Sequence, residues 1–496
     1  MPCFKKLKPL ECPIMLEKVK SLFGAQDMTV GSPMKVIAKF TIPLLIGNLA
    51  QQLYSTVDSV VVGKYCTIER NGYTGVDALS AVGASGPIIN LLIVLFIAIA
   101  TGAGILVAQY FGAKDKERLS SCVGTSITLV FIAGLFFTVV GLVLSRPLLT
   151  LINTPQKYID LAASYLQISF IGLIGMAFYN IISGILRGLG DSFYPLVYLL
   201  VSSALNIVLD ILFVASLGWG VHGVAWATII SQGVSAVLCI IRLTRMKNIL
   251  SINTKELVPN KEMTLRTLKL GLPAGITQGV FSLAMVMVQN LTNKMGDFVP
   301  AINVAIMRVD GFAVLPAFTF GLAISTYIGQ NIGARKQERL KPGERSALVL
   351  ALGISSLIVS ALFIFGKCFI GFFINKDTTD AHIYQSVVAL GGRGLRILAV
   401  GYIALGIQQI YAGILRAAGD TMSSMIISII TTVVVRVPLA YTIAFFTRSE
   451  QWQNGHPDAL FLSLVTSWTL NATLTFLRYK QGKWKKIDLI GKKGKC

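Results

Sequence analysis

Charge is scarce in this chain. Only 14% of its 496 residues are Asp, Glu, Lys or Arg, while 54% are hydrophobic. A soluble chain has a surface to wet and devotes about 25% of its residues to charge, so a soluble enzyme is excluded. Histidine is rarer still: His222, His382 and His456 are the only three, all at span ends or in loops. The seven cysteines are scattered without a CxxC pair or a nearby histidine, which leaves no disulfide framework and no zinc site. No HExxH, GxSxG, Walker or paired DDxxD pattern occurs, so ATP-driven and covalent chemistry lack support.

What the sequence has in abundance is apolar runs of bilayer length. They fall at 37–63, 80–109, 120–148, 162–187, 194–217, 222–244, 268–294, 300–330, 344–373, 390–414, 422–446 and 457–478. Lipid offers the backbone no hydrogen bonds, so each run is expected to be a helix, giving an all-α polytopic membrane protein of twelve spans. The net charge of +21 points to nucleic acid in a soluble chain, but here its placement argues otherwise. With a cytoplasmic N-terminus, 32 of the 44 Lys and Arg lie inside, 10 outside and 2 within spans. This is the positive-inside bias of a multi-pass protein of the cell membrane with both termini cytoplasmic, and nucleic acid is not an expected partner. The first residues are basic, interrupted by Pro2, Pro9, Pro13 and Pro33, and have no apolar core; they read as a cytoplasmic arm rather than a cleaved signal.

The chain repeats itself. QYFGAKDKERL at 109–119 returns as QNIGARKQERL at 330–340, and SGILRGLGD at 183–191 returns as AGILRAAGD at 412–420. IPLLIGN at 42–48 matches LPAGITQ at 272–278 more weakly. The offsets, 221, 229 and 230, agree within a loop's insertion. The expected organisation is an arm at 1–36, a six-helix lobe at 37–244, a linker at 245–267, a second lobe at 268–478 and a basic tail at 479–496. An even number of spans per copy gives both the same orientation, related by a pseudo-twofold along the membrane normal. Carriers are built this way, with the substrate path between the halves.

Ionisable side chains inside a span cost a few kcal/mol and suggest function. They are Asp58, Asp210, Arg308, Asp310 and Arg436; Arg187 with Asp191 and Arg416 with Asp420 sit at cytoplasmic helix ends. In span 1, Asn48, Gln51, Gln52, Tyr54, Ser55, Asp58 and Ser59 recur every three or four residues as one polar stripe, and Pro43 supplies a hinge. In span 5, Asn206 and Asp210 are one turn apart. The two carboxylates either share a proton or hold Na⁺ among oxygen ligands, with Tyr165, Asn180 and Thr228 as candidate neighbours. By the repeat offsets they fall opposite Val288 and Leu439, so a coupling site is expected in the first half only. In the second half, Asp310 with Arg308 or Arg436 is expected to form a structural ion pair. Gln278, Met285 and Gln289 share one face of span 7 that is expected either to line a tolerant substrate cavity or to pack in the core, and Gln51 and Tyr54 of the first span are further cavity candidates.

These motifs resemble the multidrug and toxic compound extrusion (MATE) transporters. The resemblance rests on QQLYSTVDSVVVG at 51–63, GILRGLGDS at 184–192, NIVLD at 206–210, GVHGVAWATIISQ at 220–232, IGQNIGARKQERL at 328–340 and GILRAAGDT at 413–421. It implies two six-helix lobes in a V, exporting amphipathic organic compounds, often cations, in exchange for H⁺ or Na⁺. Family roles carry over to Asp58, Asn206 and Asp210, and by looser matching to Tyr165, Asn180 and Thr228. Some members use an acid on span 7, where this chain has Gln289. The expectation is a monomeric secondary carrier with no cofactor beyond its coupling ion. A flippase for a lipid-linked precursor is the alternative.

Overall fold

The computed structural model describes residues 26–67, 72–251, 253, 255–296, 298–372, 381–450, 452–487 and 489. Among them every regular element is a helix, so each span's backbone groups bond within the segment, as lipid requires. The first half contains α1 (Pro33–Tyr65), α2 (Gly75–Gly112), α3 (Lys116–Leu151), α4 (Ile159–Ile171), α5 (Leu173–Gly188), α6 (Phe193–Asp210) and α7 (Gly220–Thr244). The second contains α8 (Lys261–Lys294), α9 (Val299–Ala313), α10 (Leu315–Gly333), α11 (Leu340–Phe372), α12 (Ala381–Ala417), α13 (Thr421–Ile429), α14 (Arg436–Phe446) and α15 (Asp458–Lys480). Eleven segments are long and apolar enough to cross a bilayer, and the bent pair α4–α5 makes the twelfth.

The helices outrun the apolar stretches because their caps lie in polar sequence. Thr74 and Asp77 form a reciprocal capping box ahead of α2. Asn260 accepts from the N–H groups of Glu262 and Met263, so α8 starts at Lys261 and the inter-lobe connection ends at 260, not 267. Three departures from straight helices were not expected. α4 and α5 meet at Gly172 with a 48° bend. The eighth span breaks at Val314, two residues before Pro316, whose ring removes a backbone donor. Single π turns follow α6 at Ile211–Ser216 and separate α13 from α14 at Ile430–Val435. Each π turn abuts a charged residue, Asp210 in one lobe and Arg436 in the other. Pro43, by contrast, sits buried in an unbroken α1.

One core cluster fills the first lobe and takes in Met263 and Leu270 of α8, a second fills the second lobe, and outer helices α3 and α11 bury only 17% of their apolar windows and face lipid. The spans at the centre, α2 and α9–α10, bury 67% and 61%. A third cluster joins the lobes: Met28, Ile37 and Phe40 from the start of the chain pack with Phe320, Tyr327 and Ile414. The beginning of α1 therefore rests on the second lobe, while Val61 and Val62 near its end pack with Val214 and Val221 of the first.

The repeated motifs meet at one end, where the basic segments emerge. Gln109 Nε2 donates to the Ala417 carbonyl at 2.7 Å, and its repeat mate Gln330 donates to the Gly188 carbonyl at 3.0 Å. Each glutamine thus reaches from its own lobe to the GILR helix of the other. α2 and α10 cross here backbone to backbone, because Gly112 lies against the Gln330 carbonyl and Gly333 against the Gln109 carbonyl. A strap over the crossing completes the closure. Met28 N–H donates to Gln330 Oε1 at 2.9 Å, Asn331 donates back to the Met28 carbonyl at 3.2 Å, and Gln26 N–H reaches the Gly190 carbonyl at 3.0 Å. A side chain at Gly333 collides with backbone that cannot move alone. Gly333→Leu is expected to destabilise the purified protein by about 1–3 kcal/mol, read as a lower unfolding midpoint, whereas Gly353→Leu, in open space, leaves the midpoint within a degree or so of wild type.

Candidate functional site

The carboxyl groups of Asp58 on α1 and Asp210 at the end of α6 lie against one another. Asp210 is fully buried and Asn206, one turn earlier, is 2% exposed. Among the described residues no donor reaches either oxygen of Asp210 or Oδ1 of Asp58, and neither end of the Asn206 amide has a partner. Carboxylates only accept, so two facing each other gain nothing unless a proton or a cation joins them. Tyr165 stands close to both acids, and Tyr54 lies beside Gln51 and Gln232 near them. Tyr54, Gln51, Asn180, Asn206 and Thr228 line a cavity of about 230 Å³. The Asn180 amide is tied to the Met176 carbonyl at 2.8 Å, which fixes its direction. The structure therefore brings together all six residues singled out for coupling: four around the carboxyl pair and two on the adjoining wall. The side chains of Ser55 and Ser59 lie outside the described residues.

The second lobe is built differently. Its cavity of about 400 Å³ is walled by Phe281, Trp468 and Met285, with Gln278, Gln289 and Val288 also facing it. Gln289 bonds to Asn293 at 2.8 Å and accepts from Asn303 at 3.3 Å, so its amide is held in place. Where the first lobe has Asp58, the lining residue here is Val288, as the repeat comparison anticipated.

The expected ion pair is not formed. Asp310 instead accepts from the Tyr402 hydroxyl at 2.7 Å. Arg436 lines the same cavity with Nε and Nη1 unpartnered and its guanidinium 6.0 Å from the Phe281 ring centre. Arg308, two positions from Asp310 and so on another face, is exposed. A phenol hydroxyl satisfied the buried acid, which freed Arg436 to face the cavity. Asp310 and Arg436 both line the chamber, and the Tyr402 bond ties α9 to α12. Sequence reasoning missed Tyr402, a tyrosine in an apolar helix with no pattern around it. It also quoted the motifs of Gln109 and Gln330 without assigning the glutamines a role; their recurrence just ahead of a glycine was the available signal.

The comparisons fit this geometry. The MatE family model matches residues 43–212 and again 273–442, one match per lobe. A probable multidrug resistance protein of Bacillus subtilis, YoeA, is 30% identical over 474 residues, covering 94% of this chain and 97% of its own. The probable multidrug resistance protein NorM of Thermotoga maritima is 27% identical over 463 residues, with 92% and 94% covered. A structure described as the outward-facing conformation of a multidrug resistance MATE family transporter superposes with a TM-score of 0.83 at 25% identity, covering 93% of this chain and 99% of that one. With two matched halves, twelve spans and relatives aligned nearly end to end, this chain belongs to the MatE family of membrane transporters.

Proposed function

We propose that this chain is a secondary exporter of amphipathic organic compounds, organic cations among them, driven by antiport with H⁺ or Na⁺. It acts as a monomer in the cell membrane, with the basic end and both termini in the cytoplasm. The observation that carries the reading is the Asp58–Asp210 pair with the unpartnered Asn206 amide beside it. One positive particle between the carboxyls removes their repulsion and supplies the partner that their oxygens lack. The lobes are clasped at the basic end, so this arrangement receives the ion from the opposite side and releases substrate there. The names of the relatives support drug-like substrates. The chamber walled by Phe281, Trp468 and Met285, with amides at its rim, suits amphipathic molecules.

Ion binding is coupled to movement only if its affinity differs between states. α1 supplies that difference. It carries Asp58 in the first lobe while its beginning rests on the second, so any change at the carboxyl pair is transmitted along a helix that touches both. Pro43, within that helix, has no N–H to tie it to the preceding turn. The flippase reading is not favoured: the relatives that align over nearly the whole chain are named for multidrug resistance, and Arg308 stands exposed outside the chambers.

Two measurements test this. In vesicles, efflux of a fluorescent organic cation is followed with a pH gradient alone and then a Na⁺ gradient alone. One gradient is expected to drive transport, and Asp58→Asn or Asp210→Asn to reduce driven efflux at least about tenfold while downhill binding persists. Driven efflux that persists unchanged in both variants would remove the carboxyl pair from the mechanism. For the clasp, Gln330→Ala removes a donor and an acceptor between lobes, at a cost of about 1–3 kcal/mol to the closed arrangement. A cysteine placed at Ala412, which lines the interlobe cavity, is expected to react faster with a reagent added from the basic side in that variant than in the Ala412→Cys parent.

A further inference from the structure

Above the clasp lies a third cavity, of about 310 Å³, between the lobes rather than within either. Its wall includes Arg187 at the end of α5 and Arg416 at the end of α12, the arginines of the two GILR repeats. Each motif also contains an acid four residues later, and the simplest expectation pairs arginine with acid inside each motif. The structure pairs them otherwise. Asp191 is held by Arg242 of α7 at 2.9 Å, and Asp420 by Arg478 of α15 at 2.8 Å. The last helix of each lobe thus takes the motif's carboxylate, and the same exchange occurs twice.

Among the described residues no carboxylate pairs with the guanidinium of Arg187 or Arg416, and no acid lines the cavity. Arg187 Nε is buried and unpartnered, and so is the hydroxyl of Ser424, another wall residue. Thr421, Gln408 and Gln409 add further polar groups. Two guanidinium groups of like charge facing one cavity in a lipid-embedded protein repel, and each, being partly buried, has given up part of its hydration. The chemistry that relieves both terms is a planar or tetrahedral oxoanion, because a guanidinium binds carboxylate or phosphate oxygens through parallel N–H donors.

We propose that this cavity is an anion site that takes a carboxylate or phosphate group between Arg187 and Arg416. One arginine comes from each lobe, so the bound anion bridges them and favours the arrangement closed at the basic end. The site is separate from the Asp58–Asp210 pair and does not depend on which cation drives transport. The size of the cavity limits it to a small anion or to the head group of a larger one.

The test uses the full-length protein in phosphatidylcholine nanodiscs. Inorganic phosphate is titrated against chloride at matched ionic strength and pH, acetate serves as the carboxylate probe, and phosphatidylglycerol nanodiscs supply a lipid phosphate. Thermal unfolding is read together with the distance between spin labels at Lys116→Cys and Gln337→Cys, two exposed positions on opposite lobes at the closing end. Phosphate or acetate is expected to raise the midpoint saturably and to narrow the distance distribution toward its short component. If only phosphatidylglycerol does so, the site takes a lipid head group. Arg187→Gln or Arg416→Gln is expected to weaken the apparent affinity about tenfold or more. Arg187→Lys and Arg416→Lys keep the charge, fold without a new unsatisfied amide and retain part of the response. No response to any of the three anions in wild type overturns the proposal, as does a response of equal affinity in the glutamine variants.

Discussion

The structure depends on a backbone crossing that only glycine permits. α2 and α10 approach so closely at Gly112 and Gly333 that each glycine lies on the carbonyl of the other helix's glutamine. That proximity lets Gln109 and Gln330 span from one lobe to the GILR helix of the other. With bulkier residues the helices would stand apart, the glutamines would fall short, and the strap at 26–31 would have no surface to lie on. The same crossing fixes the depth of the interlobe cavity above it. A lipid-embedded protein has little hydrophobic drive to hold helices together, so close packing and hydrogen bonds must do it. Glycines give a second such approach where Gly102 lies against the Thr267 carbonyl and Gly271 against the Ala98 carbonyl, but the amide hydrogen bonds belong to the first.

Around this symmetric crossing the two lobes have diverged in charge. The clasp and the acid–arginine exchange, Asp191 with Arg242 and Asp420 with Arg478, are the same in both. The interiors are not. One holds two carboxyls side by side under a tyrosine; the other holds a carboxyl satisfied by Tyr402, a separate arginine and aromatic walls. Duplication supplied the scaffold twice, and the lobes then parted into one interior suited to a small cation and one suited to a larger amphipathic molecule.

How much of this the residues disclosed follows from what kind of signal each feature leaves. Spans are legible because lipid demands about 20 consecutive apolar residues, and all twelve were read. Asp58 and Asp210 stand out because charge inside a span is expensive, and Asn206 follows from its one-turn spacing. The start of α8 was misplaced because hydropathy marks the lipid boundary while Asn260, a polar cap, marks the helix. The π turn after Asp210 left no trace, since ILFVAS is as apolar as what surrounds it. The pairing of Asp310 with Arg308 or Arg436 was inferred from three charges in one lobe. It failed because an uncharged hydroxyl on a distant helix satisfied the acid, and nothing local in sequence records that.

Met28 and Gln330 are 302 positions apart, and this separation bears on how the protein is made. Synthesis and insertion proceed from the N-terminus, and halves of this kind fold as units in that order. The strap leaves the ribosome long before Gln330, its partner in the second lobe, although its Gln26 N–H can already reach the Gly190 carbonyl of the first. The Met28–Gln330 joint is therefore made only once α10 is in place, after the first bundle already holds itself together. A seam made this late, from side-chain amides and backbone carbonyls rather than from either core, is one that can part without disturbing what was built before it.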